Sequence, residues 1–353
     1  MCRWLGLGDA VRLETYGIAT APPDIRALFD RQLRPEGCWA WFEILAATTL
    51  SDREEASILA LVDAQGHALA AMPLVRVGGK VIRGLTSPFT TLLSLPLGRD
   101  EDARLFGKLL AGKVGVSLRL DALDGKESVT AALQEGLAAG GLAVLRFRHF
   151  ANWFERIQDF TGYWDSRDSK LKATVKRKAA PLLREGRLSF ELIDMVAGGL
   201  EGRKIYNAIY AKSWKPAEPH PRFIDALLEG LGPCGIARLA VARIDGAPAA
   251  AQIWLVEEGR ATIFKLAHDP AFDRQSPGTL LTHWVLSQFH DQSGVRDVDF
   301  GRGDDSYKRL WLSSSRDRVG LLAANPRSLK GLATVLFDIL PSRLANGLRR
   351  QEI

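Results

Sequence analysis

The sequence predicts an α+β fold made of two tandem domains, each a mixed, mostly antiparallel sheet flanked by helices. Three observations carry that expectation. Residues 236–268 read as three strands joined by two tight turns. A helix and a further strand follow at a spacing that favours parallel pairing, and the first half of the chain runs through the same order of elements.

In the first half, "WFEILAATT", "SILALVDA", "LAAMPLVRV" and "KVIRGLTS" read as strands. A helix near 100–112 precedes the strand "VGVSLRLD", and another near 128–139 precedes "GLAVLRF". No residue-level repeat links the halves, so the likeness is one of element order. Between them, "RDSKLKATVKRKAAPLLREGR" (167–187) is strongly basic and helical up to Pro181, where a kink or break is expected. Two readings of this segment stand: a solvated helix face, or a helix turned towards an anion.

The second half is more legible. "RLSFELI" (187–193) alternates as a strand does, and residues 197–212 and 221–230 carry helical spacing. "IARLAVARI" ends at Asp245-Gly246, a hairpin signal because both residue types tolerate positive φ. "PAAAQIWLV", the turn Glu257-Glu258-Gly259 and "RATIFKLAH" complete a meander. After the loop "HDPAFDRQS", Pro277 suits a first helical turn, and Leu280, Leu281, Trp284, Val285 and Phe289 lie at helical spacing. "VRDVDF" (295–300) alternates again, and a single helical crossover favours parallel pairing with 260–268. The expected division is residues 1–155, residues 156–325, and a C-terminal amphipathic helix over 326–353.

The chain has 353 residues, enough for two domains, with 46% apolar and 25% charged residues. Its net charge of +6 favours an anionic ligand. No basic run with interleaved aromatics marks a nucleic-acid surface. No stretch approaches the ~20 apolar residues that span a bilayer, and the N-terminus lacks the apolar core of a signal peptide. Cys2, Cys38 and Cys234 are few, odd in number and widely spaced, which excludes a disulfide framework and a zinc motif. His268, His283 and His290 have no metal-binding spacing, and no metal is expected. A cytoplasmic protein is the expectation.

Chemistry concentrates in "GRGDDSYKRLW" (301–311), where an acid pair, a phenol and an ammonium follow the C-terminal end of a strand. Asp304, Asp305, Tyr307 and Lys308 are the candidate catalytic residues: a carboxylate as base or acceptor-orienting group, Tyr307 as acid, Lys308 against negative charge. An aspartate capping a helix and a packed tyrosine are the competing structural roles. "KSWKPAEPHPRF" supplies Trp214, Lys215, Glu218 and Arg222 as an acceptor-binding wall, with Gln252 and Lys265 from the strands. The basic, amphipathic "SLKGLATVLFDILPSRLANGLRR" packs on its own domain, on a second copy, or on an anionic membrane surface.

The order meander, loop, helix, parallel strand, acidic turn resembles the GNAT acyltransferase superfamily. Residues 276–311, with "IYNAIYAKSWKPAEPHPRF" and "APAAAQIWLVEEGRATIFKLAHDPAF", resemble the bacterial double-GNAT group described as BioF2-like or CelD-like, relatives of the Fem peptidyltransferases. The first half shares the architecture only. The resemblance implies that acyl-CoA, acetyl-CoA above all, is the co-substrate. Its phosphates would rest on a loop of pattern Q/R-x-x-G-x-G/A, matched by Gln275-Ser276-Pro277-Gly278-Thr279-Leu280. Gln275, Ser276, Gly278 and Thr279 are the implied cofactor-binding residues; Leu280 replaces the last small residue, and Pro277 lacks an N–H. Two splayed strands would admit the pantetheine arm. The implied acceptor is an amine or hydroxyl, such as a glycan precursor used for envelope or exopolysaccharide synthesis. Two alternatives remain: a Fem-like transferase with aminoacyl-tRNA as donor, and a non-catalytic binding protein on the same scaffold.

Overall fold

The computed structural model describes residues 11–32 and 34–349. Cys2 and the first ten residues of the N-terminal stretch expected not to be a signal peptide lie outside the described residues. In chain order the strands are β1 (Arg12–Gly17), β2 (Glu55–Val62), β3 (Ala68–Val77), β4 (Lys80–Gly84), β5 (Val114–Asp124), β6 (Ala143–Arg156), β7 (Leu188–Ile193), β8 (Ala237–Ile244), β9 (Ala247–Glu257), β10 (Arg260–His268), β11 (Asp297–Arg302) and β12 (Ser314–Ala324). The helices are α1 (Pro23–Asp30), α2 (Trp39–Thr49), α3 (Asp100–Ala111), α4 (Ser128–Ala139), α5 (Phe160–Asp165), α6 (Ser169–Arg184), α7 (Gly199–Lys212), α8 (Pro221–Leu231), α9 (Pro277–Ser293), α10 (Lys308–Trp311), α11 (Leu329–Thr334) and α12 (Leu340–Arg349).

The chain folds as two compact units, residues 1–150 with 317–353, and residues 151–316. In the first, the strand order is β1-β2-β3-β4-β5-β12. The pairings are antiparallel except between β4 and β5, which α3 connects. In the second, the order from the other edge is β7-β8-β9-β10-β11-β6, again antiparallel except between β10 and β11, which α9 connects. The expected meander and its parallel partner are therefore present, and the expected α+β class holds. Asp245 and Glu258 both adopt positive φ (52° and 47°) in the two turns that the sequence marked. The units divide at 150 and 316, where the sequence reading placed 155 and 325. The sixth strand of the first unit is β12, whose Arg318–Ala324 pair with Ser117–Asp124, so the C-terminal segment folds with the N-terminal half.

Two local expectations are corrected. "WFEILAATT" is not a strand but most of α2. It buries Trp41, Phe42, Leu45 and Thr49 while Glu43 and Ala47 stay exposed, a four-residue rhythm that a short apolar run does not separate from a buried strand. Helix α6 does not break at Pro181; it continues to Arg184, and the Glu185 amide donates to the Pro181 carbonyl (3.0 Å). So close to the helix end, the missing proline N–H forfeits a single intrahelical bond.

In the second unit, α9 lays Leu281, Val285 and Phe289 on the sheet against Trp254, Val298 and Phe300. Leu280 turns into a separate cluster with Val175, Leu182, Leu188 and Ile244. This packing fixes where the N-terminus of α9 emerges.

Candidate active site

A pocket of about 350 Å³ opens in the second unit. Its polar edge is the start of α9, with Ser276, Pro277, Gly278 and Thr279; its apolar walls include Leu171, Leu266, Leu310 and Trp311. Trp214, Gln252, His268, Asp273, Thr282 and Tyr307 complete the lining. The implied phosphate loop thus shares one cavity with Tyr307, Leu310 and Trp311 of the acidic turn, whereas Asp304, Asp305 and Lys308 do not line it.

The N-terminus of α9 opens on the pocket. Ser276 occupies the N-cap position in the left-handed region (φ 54°, ψ 50°), and its side chain makes no capping bond. The Leu280 amide donates to the Ser276 carbonyl (3.2 Å). Pro277 has no N–H, so Gly278 and Thr279 contribute the amides that helix geometry leaves without an intrahelical acceptor. A Cβ on Gly278 would have only His268 Nδ1 near it, at 3.9 Å, so the glycine leaves the main chain open to a ligand. Leu280, in place of the family's small residue, is buried in the core and does not line the pocket. Gln252 is 1% exposed; its Nε2 donates to the Gly278 carbonyl (3.1 Å) and Thr282 Oγ1 (2.7 Å), and its Oε1 accepts from Trp254 Nε1 (3.0 Å). It braces the first turn of α9.

Strands β10 and β11 pair only over Arg260–Thr262 and Asp297–Asp299, although β10 runs to His268 and β11 to Arg302. Their separation begins beside an irregularity in β10 between Ile263 and Lys265. Beyond it, Leu266 and His268 line the pocket. Lys265, one residue before Leu266 in the alternation, points to the other face.

The turn "GRGDDSYKRLW" is built largely by internal ties. Gly301 and Gly303 both have positive φ (62° and 99°), the left-handed region that favours glycine. Lys308 is 2% exposed, and its Nζ donates to the carbonyls of Arg302 and Gly303 and pairs with Asp305 Oδ2 (3.1 Å). Its three donors are thereby used. Asp304 accepts from Trp153 Nε1 (2.8 Å) and pairs with Arg309 (3.1 Å). Neither aspartate caps a helix through its side chain: α10 begins after Tyr307 without a side-chain cap. Asp305 keeps a mostly exposed carboxylate. Tyr307 lines the pocket; its surroundings, and then the charge of Asp305, push its hydroxyl well above the ordinary phenol range. Under the turn, Asp299 accepts from Asn152 Nδ2 (2.6 Å), the Gly301 amide (2.7 Å) and Arg316 (2.8 Å).

Lys265 pairs with both oxygens of Glu218 (2.7 and 2.8 Å). Burial pushes the nearby Lys215 ammonium down to about 8; the Lys265 charge adds to this, while Glu218 and Asp305 pull the other way. The folded state therefore holds the Lys215 proton less tightly than the unfolded chain, whose lysine titrates near 10.5. Between about pH 8 and 10.5 the unfolded state binds more protons, so this residue makes stability rise with pH across that window. Urea midpoints of the wild type and Lys215→Met, followed through the window, should converge or cross in favour of the wild type; parallel curves would contradict the burial of the ammonium.

Of the residues singled out from sequence, Trp214, Gln252, Ser276, Gly278, Thr279 and Tyr307 line the pocket, and Lys215, Glu218 and Lys265 group beside it. Gln275 and Arg222 do not line the pocket, and Arg222 is exposed on the first turn of α8. Sequence reasoning passed over the pair His268–Asp273 (Nε2 to Oδ1, 2.7 Å) and the tilted ring contact of His268 with Trp214 (centroids 4.6 Å). The available signal was the alternation that places His268 on the same face as Leu266. Among the described residues, no group of three or more His, Cys, Asp or Glu is placed to hold a metal ion, and no helix is long and apolar enough to cross a membrane.

Residues 169–309 match the family described as acetyltransferase (GNAT) domain. No curated protein matches the chain. Among solved structures, the fold is similar to FemX, with a TM-score of 0.63 at 10% identity over 92% of this chain and 99% of that one. It is also similar to the C-terminal domain of a protein described as a lysylphosphatidylglycerol synthetase from Agrobacterium fabrum, with a TM-score of 0.53 at 13% identity over 89% and 95% of the two chains. L-PGS from Bacillus licheniformis gives 0.50 at 14% identity over 88% and 93%. Identities this low speak to fold alone. The match to a GNAT acetyltransferase-type domain lies within the second unit, and the two units have the mixed α+β architecture the sequence predicts.

Proposed function

We propose, from the GNAT domain at residues 169–309, that this protein is a transferase moving an acyl group from acyl-CoA to an amine or hydroxyl acceptor. The observation that carries the reading is a single pocket holding the open N-terminus of α9 at one edge and the phenol of Tyr307 at another, beside two diverging strands. The residues present fit the donor's chemistry: unpaired amides for phosphate, an apolar groove for the pantetheine arm, and a glycine where the main chain must be approached closely. When bound, acyl-CoA supplies the activated carbonyl.

The amides of Gly278 and Thr279 hold the anionic end, and Gln252 keeps their turn in place. His268, with Nε2 committed to Asp273, turns Nδ1 towards Gly278 and donates to the anion when the ring is protonated. Leu171, Leu266, Leu310 and Trp311 exclude water. Tyr307 retains its proton at Oη for the leaving group. The acceptor enters from the Lys215–Glu218–Lys265 side, and Asp305, the open carboxylate of the turn, takes its proton. Resemblance alone supports a glycan precursor for envelope or exopolysaccharide synthesis as that acceptor.

A second reading, with aminoacyl-tRNA as donor, is favoured by α6: it puts Leu171 in the pocket wall and exposes Lys170, Lys176 and Arg177. Binding of tRNA that falls steeply with salt would support it.

Titration calorimetry with acetyl-CoA tests the first reading. Binding by the wild type and at least about tenfold weaker binding by Gly278→Asp is expected. The new carboxylate repels phosphate but suits the positive end of a helix, so stability should hold or rise by about 0.3–1 kcal/mol. No binding of acetyl-CoA or longer acyl-CoAs by the wild type would remove the proposal.

A further inference from the structure

Six of the large apolar side chains that remain exposed lie in one 16-residue stretch: Leu329 (89%), Leu332, Leu336, Phe337 (77%), Leu340 and Leu344 (70%). The stretch is one continuous helical segment, α11, a π-helical turn over Val335–Ile339, and α12. Spacings of three, four, one, three and four residues keep these side chains on one side of the axis. Another face is already used: Val335 and Ile339 pack with Leu145, Ala324 and Leu322 of the first unit. The helix is therefore seated on its own domain and still presents a second apolar stripe.

Charge identifies the occupant of that stripe. Residues 327–350 contain Arg327, Lys330, Arg343, Arg349 and Arg350 against one acid, Asp338. A second copy laid along the stripe would bring like charges together. The stripe is also small: a helix of this length is ~30 Å long, and a face ~10 Å wide offers on the order of 300 Å². A stable dimer buries about 800 Å² per partner. An apolar stripe on a segment of net positive charge matches the interface of an anionic bilayer, where each contribution is favourable.

We propose that the segment 329–349 docks this protein peripherally on anionic membrane surfaces, with Leu329, Leu336, Phe337 and Leu344 entering the headgroup boundary. The proposal is independent of the transferase reading.

The test is cosedimentation of the full chain with vesicles of phosphatidylcholine alone and of equal parts phosphatidylcholine and phosphatidylglycerol. The wild type should sediment with the anionic vesicles at least about tenfold more strongly than with neutral ones and be released by salt. Phe337→Glu combined with Leu344→Glu should lose that binding by at least about tenfold while keeping the wild-type unfolding midpoint, because both side chains are exposed. Lys330→Glu should weaken binding to anionic vesicles alone. Equal sedimentation of wild type and variant, or none by either, would overturn the proposal. So would a concentration-dependent dimer abolished by Phe337→Glu, which would assign the stripe to a second copy.

Discussion

Asp299→Ala should destabilise the protein by about 3–5 kcal/mol, the range for removing one partner from a buried ion pair. Asp299 is 4% exposed and accepts from an asparagine, a backbone amide and a guanidinium. Its removal strands the Arg316 guanidinium, which is also largely buried, and releases Asn152, which is 0% exposed and donates as well to the Gly301 carbonyl (2.9 Å). Each of these groups then bears a desolvation penalty without its partner. The loss is also local, because Asp299 and Asn152 together hold Gly301, where the strand ends and the acidic turn begins. Urea unfolding measures the effect, and a difference under about 1 kcal/mol would mean that water or a shifted side chain replaces the carboxylate. Asp317→Ala provides the contrast: its pair with Arg148 is exposed on both sides, and exposed pairs contribute about 0–1 kcal/mol.

Tyr307→Phe should lower kcat for acyl transfer by about 10²–10⁴-fold, the usual range for a positioned proton donor, with little change in KM for the donor. Among the described residues the Tyr307 hydroxyl has no hydrogen-bond partner, so the substitution should leave the unfolding midpoint nearly unchanged. That combination separates chemistry from folding. Because its surroundings and the charge of Asp305 both push the hydroxyl upwards, the phenol keeps its proton through the neutral range, as an acid must. An alkaline limb in the pH–rate profile should therefore persist in Tyr307→Phe. Activity that survives the substitution would move the proton-donor role elsewhere in the pocket.

Lys308 shows how far residue type alone carries a functional assignment. A lysine beside two aspartates reads as a cation available to a substrate, yet here its ammonium is consumed by two carbonyls and Asp305 inside the turn. Asp304 is similarly engaged by Trp153, which lies more than a hundred residues earlier. Tyr307, which lines the pocket, and Asp305, whose carboxylate is the more exposed of the two acids, carry the proposed chemistry.

What the sequence determined by itself is what depends on neighbours along the chain. Alternation at period two and residues tolerant of positive φ set the meander β8–β9–β10. Helical spacing and a proline at the first turn set α9, and the length of the connection set the parallel pairing of β11. The match to a phosphate-binding loop was legible for the same reason, since a helix N-terminus is a local object. Only tertiary structure decided the rest. Whether "WFEILAATT" is helix or strand depends on which of its faces meets Phe29, which packs edge-on against Phe42. That β12 completes the first unit's sheet depends on pairing with β5, nearly two hundred residues away. Which lysine is buried and satisfied, which is pushed towards neutrality, and which histidine lines the pocket are settled by burial and by charges brought together through space. Those energies vary with distances of a few ångströms that spacing along a chain does not encode.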